Sequence, residues 1–123
     1  MLKKCYQFGN IFYFCTVMRV IAVKTLRNFW ISHPSSKQPL LAWSEEMEKG
    51  DWKVPTELKS TYRNASLITG KRVVFNIHGN EFRLIVDIEY RLQIVFIVWI
   101  GTHKEYDKIN AKTIAYDNKT HKK

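Results

Sequence analysis

The sequence predicts a small α+β domain, with helices gathered in its first half and an antiparallel sheet in its second. Three observations carry this. Two alternating apolar runs between residues 72 and 88 flank Gly79-Asn80, the pattern of a β-hairpin around its turn. Residues 93–100 are apolar on both faces, as in a strand that is central or covered. Upstream, Leu26, Phe29 and Trp30, then Leu40, Trp43 and Met47, recur at helical spacing.

Taken in chain order, residues 1–17 stand apart. Lys3-Lys4 before Ile11-Phe12-Tyr13-Phe14 loosely resembles a signal peptide, but Gln7, Gly9 and Asn10 interrupt the apolar run and no small-residue cleavage site follows. The segment is also too short to span a membrane. Met18-Arg19-Val20-Ile21-Ala22-Val23 reads as a fresh start on a strand. The expectation is therefore an upstream extension over 1–17 and a native start at Met18; the alternative is an extra strand or an interaction arm.

Pro34 should end the first helix, and Ser35-Ser36 should cap a second that tolerates Pro39 in its first turn. Glu45, Glu46 and Glu48 form the wet face of that second helix and Gly50 its stop. A linker over 51–55 leads to Thr56, expected to cap a short helix at Glu57-Leu58-Lys59.

The hairpin's register follows from its alternation. Ile77 faces Phe82, Phe75 faces Leu84 and Val73 faces Val86, which makes one face apolar. Asn76 then lies beside Arg83, and Arg72 beside Asp87, on the open face. A slip of one residue would bury the arginines and expose the core face. After the apolar strand, Thr102 and Glu105 form a capping-box pair that starts a helix at once. His103, Lys104 and Tyr106 would crowd the positive end of that helix, a place where anions bind readily; the bland reading is a surface cap whose rings merely pack.

With 123 residues, 46% hydrophobic, the chain supports one packed domain rather than disorder. Twenty Lys+Arg against eleven Asp+Glu give a net charge of +9, which favours a polyanionic partner, nucleic acid or an acidic protein, over a merely solvated basic surface. Cys5 and Cys15 show neither zinc spacing nor a disulfide framework, so a reducing cytoplasm fits. No metal or cofactor motif is present in the sequence.

The segments 18–22, Thr25-Leu26-Arg27-Asn28-Phe29-Trp30, Asp51-Trp52-Lys53, Tyr62-Arg63-Asn64-Ala65-Ser66, 72–80 and Gly101-Thr102-His103-Lys104-Glu105-Tyr106-Asp107 together resemble the HigB family, toxins of type II toxin–antitoxin modules within the RelE/ParE superfamily. The likeness runs collinearly over about residues 18–111, leaving 112–123 as a basic tail. The resemblance implies a RelE-like α+β fold in which two N-terminal helices pack on a mostly antiparallel sheet with a short C-terminal helix. It also implies an mRNA endonuclease, usually acting on ribosome-bound messages and silenced by a HigA-type helix-turn-helix antitoxin, with no membrane involved.

A metal-independent ribonuclease uses the RNA 2′-OH as nucleophile. It needs a base for that hydroxyl, cations for the charge gathering on the phosphate, and an acid for the departing 5′-oxygen. Arg83, on a central strand, is the first choice for the phosphate clamp because it offers a planar fork of donors. His103 and Tyr106 are the acid–base candidates, and Lys104 stabilises charge or is simply solvated. Arg72 is either a second clamp or a structural ion pair with Asp87. Asn76 orients Arg83 or touches a base. Lys59 and Arg63 reach for RNA or are solvated cations.

Two other function classes remain at this level. One keeps the fold and poisons gyrase, as the ParE branch does; the convergent cationic and acid–base residues favour the ribonuclease. The other is a non-catalytic basic nucleic-acid-binding module, against which stands the lack of a helix-turn-helix or an aromatic stacking platform.

Overall fold

The computed structural model describes residues 5–8, 11–14 and 18–115. Within the segment set apart as an extension, β1 (Cys5–Phe8) and β2 (Ile11–Phe14) pair as an antiparallel ribbon. The rest of that segment, and residues 116–123 of the expected tail, lie outside the described residues.

The main body follows the order β3 (Arg19–Ile21), α1 (Val23–Ser32), a 3-10 turn at Pro34–Ser36, α2 (Lys37–Lys49), α3 (Pro55–Thr61), β4 (Ser66–Leu67), β5 (Arg72–Ile77), β6 (Phe82–Glu89), β7 (Ile94–Thr102) and α4 (His103–Tyr106). The five strands β3 to β7 form one sheet in the order β3-β7-β6-β5-β4. Only the β3–β7 pair is parallel. The sheet is mixed for a topological reason: the helices that follow β3 carry the chain across before it returns, and such a crossover permits parallel pairing. The expected α+β architecture, helices packed on a mostly antiparallel sheet with a short C-terminal helix, is what forms.

The hairpin register is the expected one, from Ile77 opposite Phe82 to Arg72 opposite Asp87. Its turn is closed by Glu81 N–H donating to the His78 carbonyl at 3.3 Å, with Gly79-Asn80 in the middle. His78 and Gly79 have φ of 55° and 67°. Glycine adopts the left-handed region freely, whereas His78 holds it at a cost of about 1 kcal/mol.

β7 is an interior strand, between β3 and β6, and both its faces are covered. On the helix side Leu26, Leu40, Trp43 and Met47 meet Val73, Phe75, Leu84, Val86, Val95 and Ile97 in the main core. Each such large side chain, fully buried, contributes roughly 1.5–3 kcal/mol of transfer free energy. On the other face a smaller cluster, Val74, Ile85 and Val98, lies under Tyr106, Ile109, Ala111 and Ile114. A register shift between Ile85 and Val86 leaves Val98 unmatched between Ile97 and Trp99. This bulge puts two consecutive residues, Val98 and Trp99, on the outer face.

Two local expectations need correction. Ser36 does not cap α2 with its side chain; its Oγ donates to the His33 carbonyl at 2.7 Å and is fully buried. The 3-10 turn runs directly into α2, so Ser36 has helical rather than extended backbone (φ −84°, ψ −12°) and cannot reach forward as a cap. Thr56 is not a cap either. Pro55 takes the first helical position behind Val54, where its fixed φ suits the helix, and Glu57 accepts the Lys53 N–H at 2.7 Å. Gly50 ends α2 as expected, in extended backbone. A Cβ there would fall 1.9 Å from the Trp52 ring, so its lack of a side chain serves the approach of Trp52. Among the described residues no helix is long and apolar enough to cross a membrane.

Candidate active site

At the hairpin end of the sheet, Arg83 of β6 is paired with Asn76 of β5 on one side and Gly101 of β7 on the other. Directly paired residues project from the same face, so these three share the outer face. Gly101 is buried, and a Cβ on it would fall 2.4 Å from the Trp99 ring and 2.8 Å from Glu105 Oε1. The missing side chain lets Trp99 lie against the strand as a floor. Tyr106 sits next to that floor, ring centroids 6.3 Å apart, and the Arg83 guanidinium lies over the Tyr106 ring at 5.7 Å. A cation on an aromatic face is held by the ring quadrupole without losing its outward donors. One Arg83 Nη donates to the Asn80 carbonyl at 3.2 Å, and among the described residues Arg83 pairs with no carboxylate.

The capping box read from the sequence forms in full. Glu105 N–H donates to Thr102 Oγ1 at 3.2 Å, and Thr102 N–H to Glu105 Oε1 at 2.9 Å. The His103 N–H donates to the Glu81 carbonyl at 3.0 Å, which ties α4 to the hairpin loop. α4 is a single turn, with His103 and Lys104 exposed and Tyr106 half-buried. These contacts bring Arg83, His103, Lys104 and Tyr106 to one end of the sheet, with Asn76 beside them.

The remaining candidates divide. Arg63 joins the site's edge: with Thr61, Tyr62, Asn64, Ala65, Phe75, Asn76 and Gly79 it lines an open groove of about 310 Å³. The Lys59 ammonium is turned to its own chain, donating to the carbonyls of Arg63 at 2.6 Å and Ala65 at 2.5 Å. It ties α3 to the loop that follows it. Arg72 lies four residues back along β5 and its donors are engaged. Nε and one Nη make a two-pronged pair with Asp87, both at 2.7 Å, and the other Nη reaches the carbonyls of Ala111 and Ile114. The Asp87 hydrogen bonds raise the Arg72 pKa further.

Sequence reasoning assigned nothing to Asn80, whose carbonyl, rather than the Asn76 amide, holds Arg83. It likewise passed over Trp99, because a tryptophan in an apolar strand carries no signal of a floor until the bulge places it. Asn64 carries a family likeness in the sequence, but its place in the groove depends on where the chain enters β4 at Ser66. Among the described residues no three His, Cys, Asp or Glu side chains gather as metal ligands.

The HigB_toxin family, the RelE-like toxic component of a toxin–antitoxin system, matches residues 36–109, a span that contains the hairpin, Arg83 and α4. The chain belongs to this family. Curated relatives include the mRNA interferase toxin HigB of Escherichia coli K12 and the mRNA interferase HigB of Shigella flexneri. Each is 32% identical over 96 residues, which cover 76% of this chain and 92% of the relative.

Proposed function

We propose that this HigB-family toxin is an mRNA interferase, an endoribonuclease whose cleavage of messages stops translation and growth. The observation that carries the reading is the Arg83 guanidinium, held by Tyr106 and the Asn80 carbonyl with no carboxylate partner among the described residues. A structural arginine would be neutralised as Arg72 is. Arg83 binds the scissile phosphate and offsets the charge that grows on its oxygens as the 2′-OH attacks. His103 and Tyr106 hold the two proton-transfer positions, base for the 2′-OH and acid for the 5′-oxygen, and Lys104 adds positive charge at the same end. Asn76 and Arg63 contact the RNA beside the cut. Lys59 acts behind them by holding the 63–65 backbone, and Arg72 anchors the C-terminal segment.

The family implies an antitoxin partner and an mRNA substrate. A HigA-type helix-turn-helix antitoxin, acidic where it covers Arg83 and the lysines, is the expected inhibitor, and translating ribosomes in the cytoplasm are the expected place of action. The test is induced expression of wild type and Arg83→Ala with mapping of mRNA 5′ ends. New ends within translated codons, absent in the variant, are the expected result. Growth arrest with intact messages would overturn the reading and turn attention to gyrase.

A further inference from the structure

The groove beside Asn76 arises because β4 is short. Its ladder with β5 consists of Ser66 opposite Val74 and Leu67 opposite Val73, and before Ser66 the chain leaves the sheet edge. β5 continues to Ile77, so on the β4 side its last residues have no described strand beside them. Which backbone groups face that gap follows from the pleat. The N–H groups of Ile68 and Thr69 donate to the Arg72 carbonyl, so Arg72 directs its peptide groups toward the β4 side. Alternate residues of a strand share that direction, so the N–H and C=O of Asn76 face the groove. Asn76 therefore presents a peptide donor, a peptide acceptor and an exposed side-chain amide.

The opposite wall is the 61–65 loop, with Arg63 and Asn64 exposed and Ala65 buried. Lys59 fixes this wall through its bonds to the Arg63 and Ala65 carbonyls. The floor is the buried edge of Phe75 and Tyr62, rings 5.1 Å apart. Gly79 forms the open end, where a side chain would meet nothing within 4 Å. A volume of about 310 Å³, apolar below and amide-rich at its rim, suits a flat heterocycle with donors and acceptors on its edge. Its β5 wall, Asn76, is paired with Arg83 one strand spacing away, about 5 Å.

We propose that this groove is a nucleobase pocket, in which one unstacked base flanking the cleaved bond is read by Asn76 and Asn64 and covered by the Arg63 guanidinium. The proposal rests on the RNA-cleaving reading for its substrate. Single-stranded RNA is recognised in this way, through splayed bases whose edges meet amides and whose faces meet planar groups. Asn76 then serves specificity rather than the orientation of Arg83, and the Lys59 buttress acquires a purpose, since a loose wall would not discriminate.

Two measurements decide it. Backbone amide shifts of the full chain are recorded with uncleavable 2′-O-methyl oligonucleotides carrying each of the four bases, and with an abasic oligonucleotide of the same length. Shifts at Arg63, Asn64 and Asn76 that require a base are expected; equal shifts with the abasic strand, or none at these residues, overturn the proposal. Cut-site profiles are then compared between wild type, Asn76→Ala and Asn64→Ala, both exposed positions where loss of an amide leaves the fold intact. The base preference at one flanking position should fall by about tenfold in each variant. Profiles unchanged from wild type overturn the proposal while leaving the nuclease reading intact. Uncut messages in wild type would instead overturn the nuclease reading, and the amide shifts would still decide whether the groove takes a base.

Discussion

Replacing Arg72 with methionine separates the two roles that its sequence position allows. In the structure the Arg72 side chain is 12% exposed and that of Asp87 28%, so the pair is largely desolvated. Removing one member of a fully buried pair costs about 3–5 kcal/mol, because the other charge is left without a partner. The partial exposure of Asp87 lets water return, which lowers the expected loss to about 2–3 kcal/mol. Two carbonyls, those of Ala111 and Ile114, also lose their donor, and they belong to the segment that covers Val74, Ile85 and Val98. For a domain of this size the melting temperature should fall by roughly 10 °C. The assay is thermal unfolding of wild type, Arg72→Met, Asp87→Leu and the double variant, with limited proteolysis to follow release of residues 109–114. The double variant should recover part of the loss, since it buries no lone charge. A melting temperature within about 2 °C of wild type, together with weakened RNA binding, would refute the structural assignment and restore Arg72 as a phosphate contact.

Lys59→Met keeps the aliphatic stem and removes the donor to the Arg63 and Ala65 carbonyls. With the group exposed, a loss of about 1 kcal/mol in denaturant unfolding is expected, with faster amide exchange confined to residues 63–65. Thr102→Ala breaks the capping box and should cost about 1 kcal/mol by the same measurement. It should also lower message cleavage, because the turn that carries His103 and Tyr106 loosens; unchanged cleavage would remove α4 from the site. In alkaline titration followed by tyrosinate absorbance, Tyr90, pushed up to about 12 by burial, should ionise late. Tyr62, raised by burial and by its hydrogen bond to Glu46, should ionise later still. A raised folded pKa contributes stability that is complete below the unfolded value near 10 and is lost as pH climbs through the folded value. Unfolding should therefore set in above pH 10, and simple titration of every tyrosine near 10 in the folded state would contradict the burial.

Much of the fold was legible because its signals are local. The alternation of Val73, Phe75 and Ile77 with Arg72 and Asn76, around the Gly79-Asn80 turn, sets the hairpin register, since a slip of one residue would bury charge. Thr102 and Glu105 carry their capping box in four residues. The errors at Ser36 and Thr56 have the opposite cause: each is a good cap residue, but a preceding 3-10 turn and a proline at the first helical position claimed the helix starts. Local propensity yields where the neighbouring turn already supplies the geometry.

By itself, then, the sequence determined the α+β class, the hairpin, the capped turn after the last strand and the family, because each rests on residues close together in the chain. Only the tertiary structure decided that Arg72 is neutralised while Arg83, among the described residues, has no carboxylate partner. The hairpin register set Arg72 beside Asp87 but left open whether it clamps phosphate; in the structure it meets Asp87 and two distant carbonyls, whereas Arg83 meets Asn80 and the face of Tyr106. The groove beside Asn76 was equally invisible, since it is made by the point at which β4 stops pairing. Whether a charge is neutralised, and where a strand edge opens, depend on what other parts of the chain bring to that place.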